Sequence, residues 1–435
     1  MLNARSIEQV DAARLPGGLA RPLYEEYAFA QIPATVERLL AGAPGGLPDD
    51  ALDGLPDRPH AVLLVLLDAF GWTFLERHGE HPLLRRLVRR GTVSKLSSQF
   101  PSTTAAHMTT LHTGLPVTAT GIYEWFMYEP VLGELIAPLL FSPAGDHGQD
   151  HLVEAGADPL AVFPWETLAQ RLAAAGVAAH AVQPAHITGS AYSSAVLRGA
   201  EQHGYHEIEE AFAICARLLR SPEPCYVFAY FPEFDAVAHQ YGPLSMRADL
   251  VARAHLSALE QALPRLAAAA GETALILTAD HGQVTIDPGS TLYVNLVAPE
   301  LESMLERSAS GRPLAPAGSA RDLFLHVLPV HVEEAVSRLR RMLGDRAQVR
   351  LTDELLGDGV FGPLPDDRLR ARIGNVLILP ADGESVWWYE AEKFIQRFRG
   401  HHGGLQPEEL RVPFAALTLG STPPGLIICH NPASG

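Results

Sequence analysis

Two apolar runs end in carboxylates, and they constrain the fold more than any other feature. Ala61–Leu67 is seven consecutive apolar residues running into Asp68, and Ala274–Ala279 runs into Asp280-His281-Gly282. A seven-residue apolar run has the length and character of a parallel strand buried on both faces. Open α/β sheets gather ligands beyond the carboxyl ends of such strands. Two acids delivered there, one followed directly by histidine, suit a metal site.

The rest of the chain repeats this pattern. Beyond Ala61, helices are expected at Trp72–Arg90, Thr104–Thr113, Glu166–Ala175, His206–Leu219 and Arg247–Ala270. Strands are expected at 91–98, 177–182 and 225–230. Strands alternating with helices predict an α/β fold, with a mostly parallel central sheet and helices on both faces. The Pro- and Gly-rich segment 1–60 reads as an N-terminal wrap. Residues 285–395 read as a smaller inserted α+β lobe, with strands at Leu323–Leu328 and Ala347–Leu351 around a helix at Val332–Leu343. The catalytic domain is then 61–284 together with 396–435.

Composition narrows the class. With 47% apolar and 19% charged residues, the chain is globular. A net charge of −17 with only two lysines, Lys95 and Lys393, argues against a nucleic-acid surface. Bound cations can still reverse the local field for an anionic small molecule. Three widely spaced cysteines, Cys215, Cys225 and Cys429, imply neither a disulfide framework nor a zinc ribbon. No basic-then-apolar leader opens the chain and no run spans a bilayer, so a cytoplasmic protein with no membrane association is expected. Nothing in the sequence sets an oligomeric state.

Further candidate ligands follow other strands. Asp235 and His239, four apart, share one face of a helix. In Gly400-His401-His402-Gly403-Gly404, glycines allow close backbone approach. Phe100-Pro-Ser-Thr-Thr104 leads into a helix, placing a hydroxyl beside free N–H groups and the positive dipole end, where anions bind. A threonine hydroxyl needs a cation to become a nucleophile. Alone, each piece has an ordinary reading: a turn, a helix cap or a surface ion pair. His107 and His112 read as packing or supporting groups. Together the segments supply three Asp and three His, a donor set for zinc, with manganese or iron as alternatives.

These segments resemble the alkaline phosphatase superfamily, in its nucleotide pyrophosphatase/phosphodiesterase-like branch. The resemblance rests on Leu67-Asp68-Ala-Phe-Gly71, on Phe100-Pro-Ser-Thr-Thr104 with Thr113-Gly-Leu-Pro116, and on Asp235-x-x-x-His239-x-x-Gly242-Pro243. Thr278-Ala-Asp280-His281-Gly282 and Gly400-x-His402-Gly403 complete it. It implies two divalent metal ions. Asp235, His239 and His402 would hold one, Asp68, Asp280 and His281 the other, with Thr104 as the bridging nucleophile.

Family register selects Thr104 over Thr103 and His402 over His401. The implied activity is metal-dependent hydrolysis of a small-molecule phosphoester, a phosphodiester or nucleotide pyrophosphate first, through a phospho-threonine intermediate. A phosphonate C–P hydrolase or a phosphomonoesterase on the same site is the enzymatic alternative. A non-catalytic metal-stabilised binding protein is the rival class, and it has no need of the hydroxyl. The chain departs from the pattern at Trp125, where the branch often carries Asn, and at Thr120-Gly121 in place of His-Gly. Tyr123 and Trp125 are candidates for a substrate wall or for core, and Trp387, Trp388 and Tyr389 for a pocket cover or for packing of the lobe.

Overall fold

The computed structural model describes residues 1–269, 271–363 and 365–420. Segment 421–435 of the expected catalytic domain, with Cys429, lies outside the described residues. Six strands of the main sheet are β1 (Ala61–Leu67), β2 (Thr92–Ser97), β3 (Ala178–Pro184), β4 (Ala200–Tyr205), β5 (Cys225–Phe231) and β6 (Thr273–Thr278). Four strands of the lobe follow: β7 (Ala317–Ser319), β8 (Asp322–Leu325), β9 (Ala347–Leu351) and β10 (Val376–Pro380). The chain then returns to the main sheet with β11 (Arg411–Leu419).

The main sheet has the order β2-β11-β6-β1-β5-β3-β4. It is a mixed α/β architecture, parallel except for β11, which runs against both of its neighbours. β1, β5 and β6 are buried at every residue, as their unbroken apolar runs require. Register pairs Leu67 with Phe231 and Leu66 with Thr278, so all three strands end at one level. Their carboxyl ends deliver Asp68, the helix carrying Asp235, and Asp280-His281 to one rim.

The lobe sheet, β7-β8-β10-β9, is antiparallel throughout. Its side chains alternate with the two-residue period of strands. Leu323, Leu325, Val376 and Ile378 pack with Leu339 and Leu343 of helix Val332–Leu343 in a local core. Phe324, Leu377 and Leu379 face the other way and join the main core. The first 60 residues also contribute, with Tyr27, Phe29, Ile32 and Val36 fully buried there. No described helix is long and apolar enough to cross a membrane.

Several local expectations change. The single helix expected over Trp72–Arg90 is two, Trp72–Arg77 and Pro82–Arg90. Pro82 has no N–H to continue the first helix, and the His81 ring accepts the Leu83 N–H to start the second. The expected strand Leu323–Leu328 is only Asp322–Leu325. β4 and β11 add two strands to those expected from local pattern. Ala-Glu-Gln-His-Gly-Tyr is a weak strand former, and β11 carries Pro413.

Candidate active site

Thr104 opens helix Thr104–Thr113, whose last turn is closed by Gly114 in the left-handed conformation. Thr103 has extended backbone and supplies no side-chain cap, which leaves first-turn N–H groups available to an anion. Thr104 Oγ1 lies 3.1 Å from His281 Nε2 and 3.5 Å from Asp68 Oδ1. His281 Nε2 is also 3.5 Å from Asp68 Oδ1 and 3.4 Å from Asp280 Oδ2.

A second group adjoins the first. On helix Glu233–Tyr241 the spacing of four brings His239 Nε2 to 3.4 Å from Asp235 Oδ1. His402 Nε2 is 3.7 Å from Asp235 Oδ1 and 3.1 Å from His239 Nε2. The His402 and His281 rings stack at 3.8 Å, which joins the two groups. The structure therefore brings Asp68, Thr104, Asp235, His239, Asp280, His281 and His402 into one cluster. His401 is turned to another task, its Nδ1 accepting the backbone N–H of His402.

Tautomers show that this cluster fits cations. His239 Nδ1 contacts the Gly400 carbonyl at 2.8 Å, His402 Nδ1 the Ser102 carbonyl at 2.8 Å, and His281 Nδ1 the Gly282 carbonyl at 3.1 Å. A carbonyl only accepts, so each Nδ1 carries the hydrogen and each Nε2 presents a lone pair. Two such lone pairs, on His239 and His402, then face each other at 3.1 Å. That arrangement is repulsive unless a cation lies between the donors.

Asp280 repeats the pattern. Oδ1 accepts from the N–H groups of Ala69 and His281, while Oδ2 is buried without a partner. Ala69 itself holds a left-handed φ of 59°, strain of the kind that gathers at functional sites. Burial, with the charges of Asp280 and Asp235, pushes the Asp68 carboxyl well above the usual range; burial also raises Asp280. Burial pushes the His281 imidazole down to about 4 and His402 well below its ordinary value. Crowded acids and neutral imidazoles are what divalent cations stabilise.

Some supporting residues were not among the expected ones. Tyr230, near the end of β5, donates its hydroxyl to Asp68 Oδ2, and Gln283 donates its amide to Asp235 Oδ1. A hydroxyl at the carboxyl end of an apolar strand was the available signal for Tyr230. Tyr230→Phe is expected to weaken divalent-metal retention by about 10-fold or more with the fold intact, checked by competition with a chelator. Unchanged retention would remove Tyr230 from the site. His107 and His112 are both buried: His107 bridges the Thr103 carbonyl and the Gln99 N–H, and His112 packs edge-on against Phe228.

Two cavities meet at Thr104. One, of about 300 Å³, is walled by Met108, Leu139, Ile187 and Tyr192 and reaches Asp68. The other, of about 450 Å³, is walled by Phe126, Trp387, Phe394 and Phe398 and reaches His239 and His402. Trp125, Leu140 and Asp235 line both. Tyr123 is core instead, packed edge-on against Phe324. Trp387 and Trp388 are buried in the lobe core, and Trp387 also faces the larger cavity.

Among solved structures, murine ectonucleotide pyrophosphatase/phosphodiesterase 5 has a similar fold, with a TM-score of 0.62 at 17% identity over 82% of this chain and 87% of that one. Phosphonoacetate hydrolase from Sinorhizobium meliloti 1021, solved with phosphonoacetate, gives 0.58 at 19% identity over 83% and 92%. No curated protein matches the chain significantly by sequence. The model of the type I phosphodiesterase / nucleotide pyrophosphatase family matches residues 62–405, from the second residue of β1 to the glycine loop after His402. With that extent of match, the chain belongs to the type I phosphodiesterase / nucleotide pyrophosphatase family, in the alkaline phosphatase superfamily, and is a phosphoester hydrolase.

Proposed function

We propose that this enzyme hydrolyses phosphodiesters, nucleotide pyrophosphates included, using Thr104 as nucleophile and two divalent cations, zinc first. Asp235, His239 and His402 would hold one cation, and Asp68, Asp280 and His281 the other. The observation that carries the diester reading is the pair of cavities that share Thr104 in their walls. A diester places an organic group on each side of phosphorus, whereas a monoester places one. Among the described residues no arginine lines either cavity, and Lys393 is the one lysine that does. A dianionic monoester or phosphonate therefore meets no guanidinium clamp there.

Bound cations would supply Lewis acidity and bring the threonine hydroxyl into a reactive range. Asp68 and His281 lie beside Oγ1, and the first-turn N–H groups would receive the anionic phosphoryl oxygens. Oγ1 gives up its proton and attacks phosphorus as the opposite ester P–O bond breaks, and the leaving oxygen departs with the bonding pair and takes up a proton. Water then attacks the phospho-threonine, releasing a phosphomonoester and restoring the hydroxyl. Trp125 lines both cavities and would contact the organic groups of a diester. Cys215 and Cys225 are buried free thiols, which fits the cytoplasmic setting proposed for the chain.

The expected result is a kcat/KM for bis-p-nitrophenyl phosphate at least about 10-fold above that for p-nitrophenyl phosphate, measured at saturating zinc. Preference for p-nitrophenyl phosphate or phosphonoacetate would overturn the diester assignment. Zinc binding with no turnover of any of the three would favour the non-catalytic class.

A further inference from the structure

The outer edge of the main sheet carries another set of metal-ligand side chains, separate from the Thr104 cluster. β4 is the edge strand and, among the described residues, pairs only with β3. Register places Glu201 beside His180 and His203 beside Val182. Residues two apart on a strand share a face, so Glu201 and His203 stand on the face of His180. His203 Nε2 lies 3.2 Å from His180 Nδ1. The Glu201 carboxylate is 3.5 Å from His180 Nδ1 and 3.8 Å from His203 Nε2.

These separations are those of a chelate. Two nitrogens bound at about 2.0–2.1 Å to a tetrahedral zinc stand roughly 3.3 Å apart. The imidazoles are already at that distance and need little movement to share an ion. Both rings are mostly buried, while the Glu201 side chain is 68% exposed, so solvent has access from the carboxylate side. Burial lowers the proton affinity of both rings, and Arg217 on helix Ile208–Leu218 lowers it further, so both are neutral donors near pH 7. Arg217 also opposes a cation, and the Glu201 charge offsets it.

We propose that His180, Glu201 and His203 form a zinc site distinct from the catalytic centre, with one coordination position open to solvent. Its place gives it a role. β4 is a weak strand former with one neighbour, and an ion shared by His180 and His203 ties it to β3 only when the edge is folded. An N–H···N hydrogen bond between two neutral imidazoles would leave the same 3.2 Å separation, and a zinc count separates the two cases.

The test is zinc content by mass spectrometry after equilibrium dialysis at fixed free zinc, for wild type and the His180→Ala/His203→Ala double variant. The expected result is one equivalent fewer in the double variant, with unchanged turnover of bis-p-nitrophenyl phosphate. Equal zinc content would overturn the proposal. Should the double variant misfold, Glu201→Gln decides, because that side chain is exposed. It is expected to weaken retention of one equivalent on the order of 10-fold, and unchanged retention would overturn the site. In a chain carrying Asp235→Ala and His402→Ala, adding His180→Ala and His203→Ala should remove one further equivalent, which makes this outcome independent of the catalytic reading. No further loss in that chain would also overturn a separate edge site.

Discussion

Thr104→Ala is expected to lower turnover of bis-p-nitrophenyl phosphate by at least about 10³-fold while the zinc content stays at the wild-type value. The two parts follow from different features of the site. Thr104 is 8% exposed at the meeting point of two cavities, and its Oγ1 is the hydroxyl that lies within 3.5 Å of both Asp68 and His281. Removing it takes away the atom proposed to form the bond to phosphorus. The six carboxylate and imidazole donors remain: backbone carbonyls hold the three imidazoles, the Ala69 and His281 N–H groups hold Asp280, and Tyr230 and Gln283 hold Asp68 and Asp235. Thr104→Ser keeps a hydroxyl on the same Cβ and should recover a measurable part of the rate. Wild-type turnover in Thr104→Ala would move the nucleophile elsewhere. Loss of zinc together with activity would show that Thr104 is a structural ligand first.

Arg321→Met is expected to destabilise the protein by about 3–5 kcal/mol, read as a fall in the urea midpoint. Arg321 and Glu409 are 1% and 0% exposed, and the guanidinium makes two contacts of 3.2 Å to the carboxylate. Its remaining amine donates to the carbonyls of Ala381 and Glu384. Glu409 also accepts the N–H groups of Gly404 and Gln406, so one buried pair ties the lobe to the loop after His402. Methionine fills the volume and leaves a buried carboxylate without its countercharge, the costly half of a broken ion pair. Adding Glu409→Gln to Arg321→Met should recover part of the loss, since it removes the unpaired charge. A change under about 1 kcal/mol in the single variant would mean that water reaches Glu409.

The halves of the site that local geometry controls were readable from the chain. Unbroken apolar runs before Asp68 and Asp280 set buried parallel strands, and the spacing of Asp235 and His239 set one helix face. Gly114 marked the end of the helix that begins at Thr104. These are effects of a few neighbouring residues, and a sequence states them directly. The family pattern added the order in which the segments combine.

Contacts between distant segments were decided by tertiary structure. Sheet register brings Leu67 level with Phe231, so the Tyr230 hydroxyl reaches Asp68 across 162 residues of chain. β4 forms despite poor local propensity because β3 offers it an edge, and β11 enters between β2 and β6 although it carries Pro413. Which of His401 and His402 faces Asp235 depends on the Ser102 carbonyl, 300 residues away, which takes the His402 Nδ1 hydrogen. By itself the sequence determined which residues had the chemistry for a metal site and which strand and helix ends would present them. Only the tertiary structure decided where their lone pairs point and which cavities meet there. Those outcomes depend on the register and packing of segments hundreds of residues apart.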